Sequence, residues 1–222
     1  MRILDNVNKV QEQIGTACAI ANRSPEEITI IGVTKYVDAK MADELRASGI
    51  INLGENRADV FLEKHQELDS HISWHFIGTL QTRKVRDVIN KIDFLHSLDR
   101  LSLAEEINKR VDQKLKCFVQ VNVLNEESKH GLAIDEVPDF IRHLLAYDKI
   151  VVIGLMAMAP ETDDETIIRS CFSKLKQLQK EIQHLLLDHA PCTELSMGMT
   201  NDYQIAIQEG ATFVRLGRCL FE

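Results

Sequence analysis

Lys35 closes an apolar run, Ile28-Thr29-Ile30-Ile31-Gly32-Val33-Thr34-Lys35. A period of two places Thr29, Ile31, Val33 and Lys35 on one face of a strand. If that face lines a barrel, the ammonium stands at the mouth above apolar neighbours. Partial desolvation there favours the neutral amine, a nucleophile toward carbonyl groups. The structural alternative is a charge that ends an apolar strand.

A second set of residues has the make-up of a phosphate cradle. Ser196-Met197-Gly198 leads into Thr200-Asn201-Asp202, which opens a helical pattern through Tyr203, Ile205, Ala206 and Ile207. Gly198 permits close backbone approach, and a helix start offers N–H groups and the positive end of a dipole. Gly217-Arg218 follows the final strand and brings further amides beside it. Read structurally, Ser196 and Thr200 are helix caps and Gly217 is a turn.

An amine able to form an imine, set across one mouth from a phosphate cradle, points to pyridoxal 5′-phosphate (PLP). The aldehyde would condense with Lys35, and the phosphate would rest on Ser196, Gly217 and their neighbours. Arg215 alternates inward with Phe213, so its guanidinium can meet the pyridine nitrogen. An aspartate there would keep that nitrogen protonated and make the ring a strong electron sink. Arginine donates without giving up its proton, which leaves the nitrogen unprotonated and weakens carbanion stabilisation. Such a site holds the cofactor and suits most amino-acid chemistry poorly.

Eight short apolar runs must position these residues: 28–34, 50–53, 74–77, 93–97, 117–123, 150–157, 194–197 and 212–216. Helical patterns separate them, and one more precedes the first. The clearest spans 163–187, with a stripe of Ile167, Cys171, Leu175, Leu178, Ile182 and Leu185 and a capping box of Thr162 with Glu165. Gly49 and Gly210 mark helix stops. Alternating units of this kind predict an α/β fold, a single (β/α)8 TIM-type barrel whose extra N-terminal helix covers the place of the missing last one. No GxGxxG follows a strand and no P-loop is present, which disfavours an open doubly wound sheet. Polar residues collect at the strand ends, where such a barrel carries its site: Gly54-Glu55-Asn56, His75, His96-Ser97-Leu98-Asp99, Asn122 and Ser196. No Pro/Gly/Ser linker divides the chain, so residues 1–222 read as one domain.

Composition narrows the function. With 222 residues, 45% hydrophobic, the chain can bury one substantial core. The net charge is −8, with no Lys/Arg block, which argues against nucleic acid. There is no apolar stretch of about 18 residues. Residues 1–22 form an amphipathic helix carrying Asp5, Lys9 and Glu12 rather than a signal peptide. A cytoplasmic protein without membrane contact is expected. Five cysteines lie far apart, without CxxC or Cys/His spacing, and read as reduced, mostly buried thiols. The pairs His71/His75 and His184/His189 lack the carboxylates of a metalloprotease helix, so no metal is expected.

The chain resembles the YggS/PROSC family of pyridoxal-phosphate homeostasis proteins, themselves similar to the N-terminal barrel domain of alanine racemase. The resemblance covers nearly the whole length. It includes Val33-Thr34-Lys35, Gly54-Glu55-Asn56, His75-Phe76-Ile77-Gly78 with Leu80-Gln81 and Lys84, and His96-Ser97-Leu98-Asp99. It continues through Gln120-Val121-Asn122, Ser128-Lys129 with Gly131, Gly154-Leu155-Met156, Leu195-Ser196-Met197-Gly198-Met199 and Val214-Arg215-Leu216-Gly217. It implies a fold-type III PLP site with Lys35 as the imine-forming lysine, Ser196 and the Gly217 region as phosphate ligands, and Arg215 near the ring nitrogen. Asn56, Gly198 and Arg218 complete the expected cofactor-binding set. Arg218 stands where the family often has threonine, Glu222 where a glycine is usual, and Arg57-Ala58-Asp59 replaces the commonest run after Asn56.

The resemblance implies PLP binding and control of its supply, without established catalysis. A racemase needs a second acid/base on the opposite face of the cofactor, usually a tyrosine. Tyr36 should point outward, Tyr147 lies at a helix end and Tyr203 is in a helix. A monomeric carrier that releases PLP to PLP-requiring apoenzymes is therefore the first expectation. A small amino-acid racemase using His75, His96 or Lys129 is the second, and a ligand-free protein-binding barrel the third. Lys129, in a loop on the same face, is also a candidate for assisting cofactor transfer.

Overall fold

The computed structural model describes residues 2–68, 71–126 and 130–222. Lys129 lies outside the described residues. Branched and aromatic residues in short runs form eight parallel strands: β1 (Thr29–Val33), β2 (Asn52–Glu55), β3 (Ser73–Phe76), β4 (Phe94–Leu98), β5 (Leu115–Gln120), β6 (Ile150–Met156), β7 (Glu194–Ser196) and β8 (Phe213–Leu216). They pair in sequence order, and β8 returns to β1 with Thr29 opposite Phe213 and Gly32 opposite Leu216. The result is the closed barrel expected. Ile31, Phe118, Met156 and Phe213 fill its interior, with Phe94 and Ile153 against them. The larger apolar layer lies between the strands and the surrounding helices.

Those helices are α1 (Arg2–Ile20), α2 (Ala39–Ala47), α3 (Ala58–Glu67), α4 (Val85–Val88), α5 (Leu101–Arg110), α6 (Val137–His143), α7 (Glu165–Gln183), α8 (Tyr203–Gln208) and α9 (Arg218–Phe221). The last is a single turn, so it cannot cover the barrel after β8. Helix α1 does, burying Ile3, Val7, Val10, Ile14 and Ala17. Asn6 donates to the Leu220 carbonyl (3.1 Å), and the Tyr203 hydroxyl donates to Gln13 (2.6 Å). Gly49 and Gly210 take positive φ (97° and 102°) where helices stop, as expected.

Three local expectations shift. Strand β2 starts two residues later than 50–53, because Ile50 is the buried anchor of the turn after Gly49 and bonds back to the Leu45 carbonyl. Strand β5 ends before Val121 and Val123, which are buried in a loop where Val121 bridges Leu132. Helix α7 is capped by Asp164, whose carboxylate accepts from the Thr166 and Ile167 amides, and Thr162 accepts from the Asp164 amide instead of forming a box with Glu165. Its buried stripe begins at Ile168, while Ile167 is exposed. Cys18, Cys117, Cys171 and Cys192 are buried, in line with the thiol reading. No helix among the described residues is long and apolar enough to cross a membrane.

Candidate functional site

Strand β1 delivers Lys35 to the C-terminal mouth of the barrel. Alternation holds through Ile31, which faces the interior, and Thr34, which is buried between β1 and β2. The strand ends at Val33, however, and Lys35 sits in the following turn. Its ammonium is exposed, 4.7 Å above the ring of Tyr36, itself 85% exposed. The desolvation expected from the strand pattern is therefore absent, because the turn carries the amine beyond its apolar neighbours. Tyr36 points outward as expected.

Thr34, just before Lys35, is held on every side. Its amide donates to the Gly54 carbonyl (3.1 Å), and its hydroxyl donates to Glu55 Oε1 (2.6 Å). Lys64 of α3 donates to the Thr34 carbonyl (2.6 Å) and to the same Glu55 oxygen (2.5 Å). Glu55 is fully buried and Lys64 is 4% exposed. Sequence reading missed this pair. The available signal was a lysine three residues after Phe61, on the helix face that Phe61 buries.

Inside the barrel a hydrogen-bonded chain runs from β2 to β8. Asn52 Oδ1 lies 3.0 Å from His75 Nε2, His75 Nδ1 lies 2.9 Å from His96 Nε2, and His96 Nδ1 lies 2.9 Å from Ser196 Oγ. Arg215 Nη1 donates to Ser196 Oγ (2.8 Å) and to the Ser196 carbonyl (2.8 Å), and Nη2 donates to the Ala157 carbonyl (3.0 Å). The two ends fix the proton arrangement. A carbonyl oxygen at Asn52 requires His75 to donate from Nε2, so His75 Nδ1 accepts from His96 Nε2–H. His96 Nδ1 in turn accepts the Ser196 hydroxyl proton. Both imidazoles are neutral. Burial pushes His75 down to about 3. Burial, then the nearby His75 and Arg215, hold His96 well below its ordinary value. Burial also brings the Arg215 guanidinium down to about 10, against the pull of the Asp202 carboxylate, so it stays a cation at neutral pH. Ser196 and Arg215 thus meet, with the Ser196 hydroxyl committed to the interior.

The loops after β7 and β8 flank this chain. Gly198 takes φ +94°, and a Cβ there would lie 2.6 Å from Ala206 Cβ, so helix α8 packs directly on it. The Met199 amide donates to Asp202, and Thr200 donates to Cys219 Sγ (3.6 Å), tying the loop to α9. Gly217 packs beside Val33 of β1, two residues before Lys35, and Arg218 beyond it is exposed. Asn56 sits on the β2–α3 loop, at a cleft of about 420 Å³ shared with Arg57, Thr79, Gln81 and Lys84. The same mouth therefore carries Lys35, Asn56, Gly198, Gly217 and Arg218, with Ser196 and Arg215 turned into the barrel beneath it.

A closed eight-stranded parallel barrel with a lysine after its first strand and a buried arginine in its last is an alanine-racemase-type barrel. The family described as alanine racemase, N-terminal domain, matches residues 7–222. Within that class, the chain belongs to the pyridoxal phosphate homeostasis protein family, the YggS/PROSC family. The pyridoxal phosphate homeostasis protein of Aquifex aeolicus is 36% identical, covering 100% of this chain and 98% of that protein. That of Escherichia coli K12 is 32% identical, covering 99% and 95%. Among solved structures, PipY of Synechococcus elongatus PCC7942 with PLP bound superimposes with a TM-score of 0.87 at 28% identity, covering 99% of this chain and all of that one. Alanine racemase of Clostridium difficile 630 shares the fold (TM-score 0.80, 16% identity), and this chain spans 56% of its length.

Proposed function

We propose that this chain binds pyridoxal 5′-phosphate, that Lys35 holds it as an imine, and that the protein stores the cofactor and hands it on rather than turning over a substrate. The observation that carries the reading is an accessible primary amine after β1, at the mouth above a buried guanidinium on the adjoining strand β8. The donor set fits the group. When bound, PLP supplies an aldehyde that condenses reversibly with a primary amine, releasing water. Lys35 provides that amine. Arg215 would be the donor toward the pyridine nitrogen, without delivering a proton to it. Backbone amides around Gly198, Gly217 and Arg218, with Asn56, would hold the phosphate and ring.

The carrier reading is supported by what the other candidates are doing. His75 and His96 are neutral and spent in the interior chain, and the Tyr203 hydroxyl is bound to α1. None of these three stands ready as a second acid/base, and Lys129, the other candidate, lies outside the described residues. The whole of 1–222 is read as one cytoplasmic, monomeric domain that makes transient contact with apoenzymes.

The test is an absorbance spectrum of the protein with PLP, wild type beside Lys35→Ala, followed by borohydride and peptide mapping, with an α-proton exchange assay on amino acids. A visible band and a reduced adduct at Lys35, both missing in the variant, with no proton exchange, are expected. No adduct at Lys35 overturns the binding reading, and exchange at enzymatic rates overturns the carrier reading.

A further inference from the structure

We infer that the buried pair Glu55–Lys64 is a positioning device for Lys35, acting through Thr34. The inference rests on the reading of Lys35 as the PLP lysine. A lysine and a glutamate removed almost completely from water are a poor way to glue a helix to a strand, since apolar residues of like volume generally do as well or better. Simple glue also predicts bonds confined to α3 and β2. Instead, the Lys64 ammonium divides its donors between Glu55 and the Thr34 carbonyl, and the same Glu55 oxygen takes the Thr34 hydroxyl. The second Glu55 oxygen has no partner among the described residues, so the carboxylate is placed for Thr34 rather than for its own full satisfaction.

The geometry explains what is gained. The Thr34 carbonyl belongs to the peptide plane whose other end is the Lys35 amide. Fixing it at 2.6 Å from Lys64 and 3.1 Å from the Val37 amide of the same turn, while the Thr34 hydroxyl and amide are fixed to Glu55 and Gly54, sets the direction in which the chain leaves β1. Lys35 has no buried packing of its own to set that direction. An exposed, flexible side chain then starts from an immobile root, and the amine samples a small volume at the mouth. Glu55, Lys64 and Thr34 are buried beneath the mouth and bond to one another and the backbone rather than to the Lys35 amine, so they are positioning residues.

The test follows the rate at which PLP forms its borohydride-fixable adduct at Lys35, by stopped-flow absorbance and peptide mapping. The chains compared are wild type, the neutral pair Glu55→Gln/Lys64→Met, Thr34→Val and the conservative Thr34→Ser. The neutral pair and Thr34→Val are expected to load at least about tenfold more slowly, with Thr34→Ser near wild type. Thermal melting of each separates this from general destabilisation. Thr34→Val removes one hydroxyl at constant shape, so it decides alone if the double variant does not fold. Wild-type loading rates in the folded variants overturn the clamp, as does slow loading that merely follows the melting temperature. Absence of any Lys35 adduct in wild type overturns instead the PLP reading on which the clamp rests.

Discussion

His75 and His96 meet inside the barrel, Nδ1 of the first 2.9 Å from Nε2 of the second, each ring stacked on a phenylalanine (Phe94 and Phe118) at 4.3 Å between centroids. Two histidines at this distance are compatible only if one donates and one accepts, and two charged rings would repel. The contact thus excludes two charged rings, and burial keeps both neutral.

That neutrality makes stability depend on pH. In the unfolded chain each imidazole takes up a proton near 6.5, while folded His75 does so only at about 3 and His96 also far below its ordinary value. Between those limits the unfolded state binds more protons, so stability is complete above about 6.5 and falls as pH falls. The slope is about 1.4 kcal/mol per pH unit for each ring. Melting curves from pH 7 to pH 5 are expected to move steadily down, and His96→Gln is expected to show a shallower slope. Parallel slopes would contradict the buried neutral pair.

Arg215 satisfies the Ser196 carbonyl, the Ser196 hydroxyl and the Ala157 carbonyl at once. Arg215→Met leaves the buried Ala157 carbonyl unpaired, while the Ser196 carbonyl keeps the Ala157 amide and the Ser196 hydroxyl keeps His96, and is expected to cost about 1–3 kcal/mol in urea unfolding. Arg215→Lys, with its single nitrogen, should fall between. PLP affinity measured by equilibrium dialysis should weaken in the same order.

Glycine substitutions give opposite signs at two positions. A Cβ at Gly78 would lie 2.2 Å from the Asn56 carbonyl oxygen, backbone against backbone. Gly78→Ala is expected to lose about 1–3 kcal/mol and to weaken PLP binding by displacing Asn56. Gly15, inside α1, has nothing within 4 Å of the same atom. Gly15→Ala should therefore gain about 0.5–1 kcal/mol without changing binding. Thermal melts with and without PLP read both.

Arg218 is the departure from the family pattern that lies nearest the proposed phosphate. It is exposed, so its attraction for an anion is screened by salt. Arg218→Thr is expected to weaken PLP binding about two- to fivefold at low ionic strength, with the difference vanishing at high salt. A difference that persists at high salt would mean a direct bond instead.

The barrel was legible because its signal is local: eight apolar runs, helical patterns between them, and an amphipathic first helix with nowhere else to go. Boundaries slipped where apolar residues are buried without being strand, at Ile50, Val121 and Val123. Placement of Lys35, Ser196, Gly198, Arg215 and Gly217 at or just beneath one mouth followed from strand ends and alternation. What each side chain does there did not. Ser196 reads equally as a cap or an anion ligand, and only the three-dimensional meeting of His96 with Arg215, 119 positions apart (215 − 96), turns its hydroxyl inward. The spacing from Phe61 could mark Lys64 as buried, but its partners were hidden for the same reason: Glu55 and Thr34 are brought to it from two neighbouring strand ends.

The aromatic stacking around the two histidines has a kinetic side. His75 and His96 are almost wholly buried and each lies flat against one phenylalanine, so a ring flip has to displace a packed aromatic. The direction of the proton chain should therefore outlast that of any solvent-exposed imidazole, and slow deuterium uptake at the two imidazole Nε2–H groups is its expected signature.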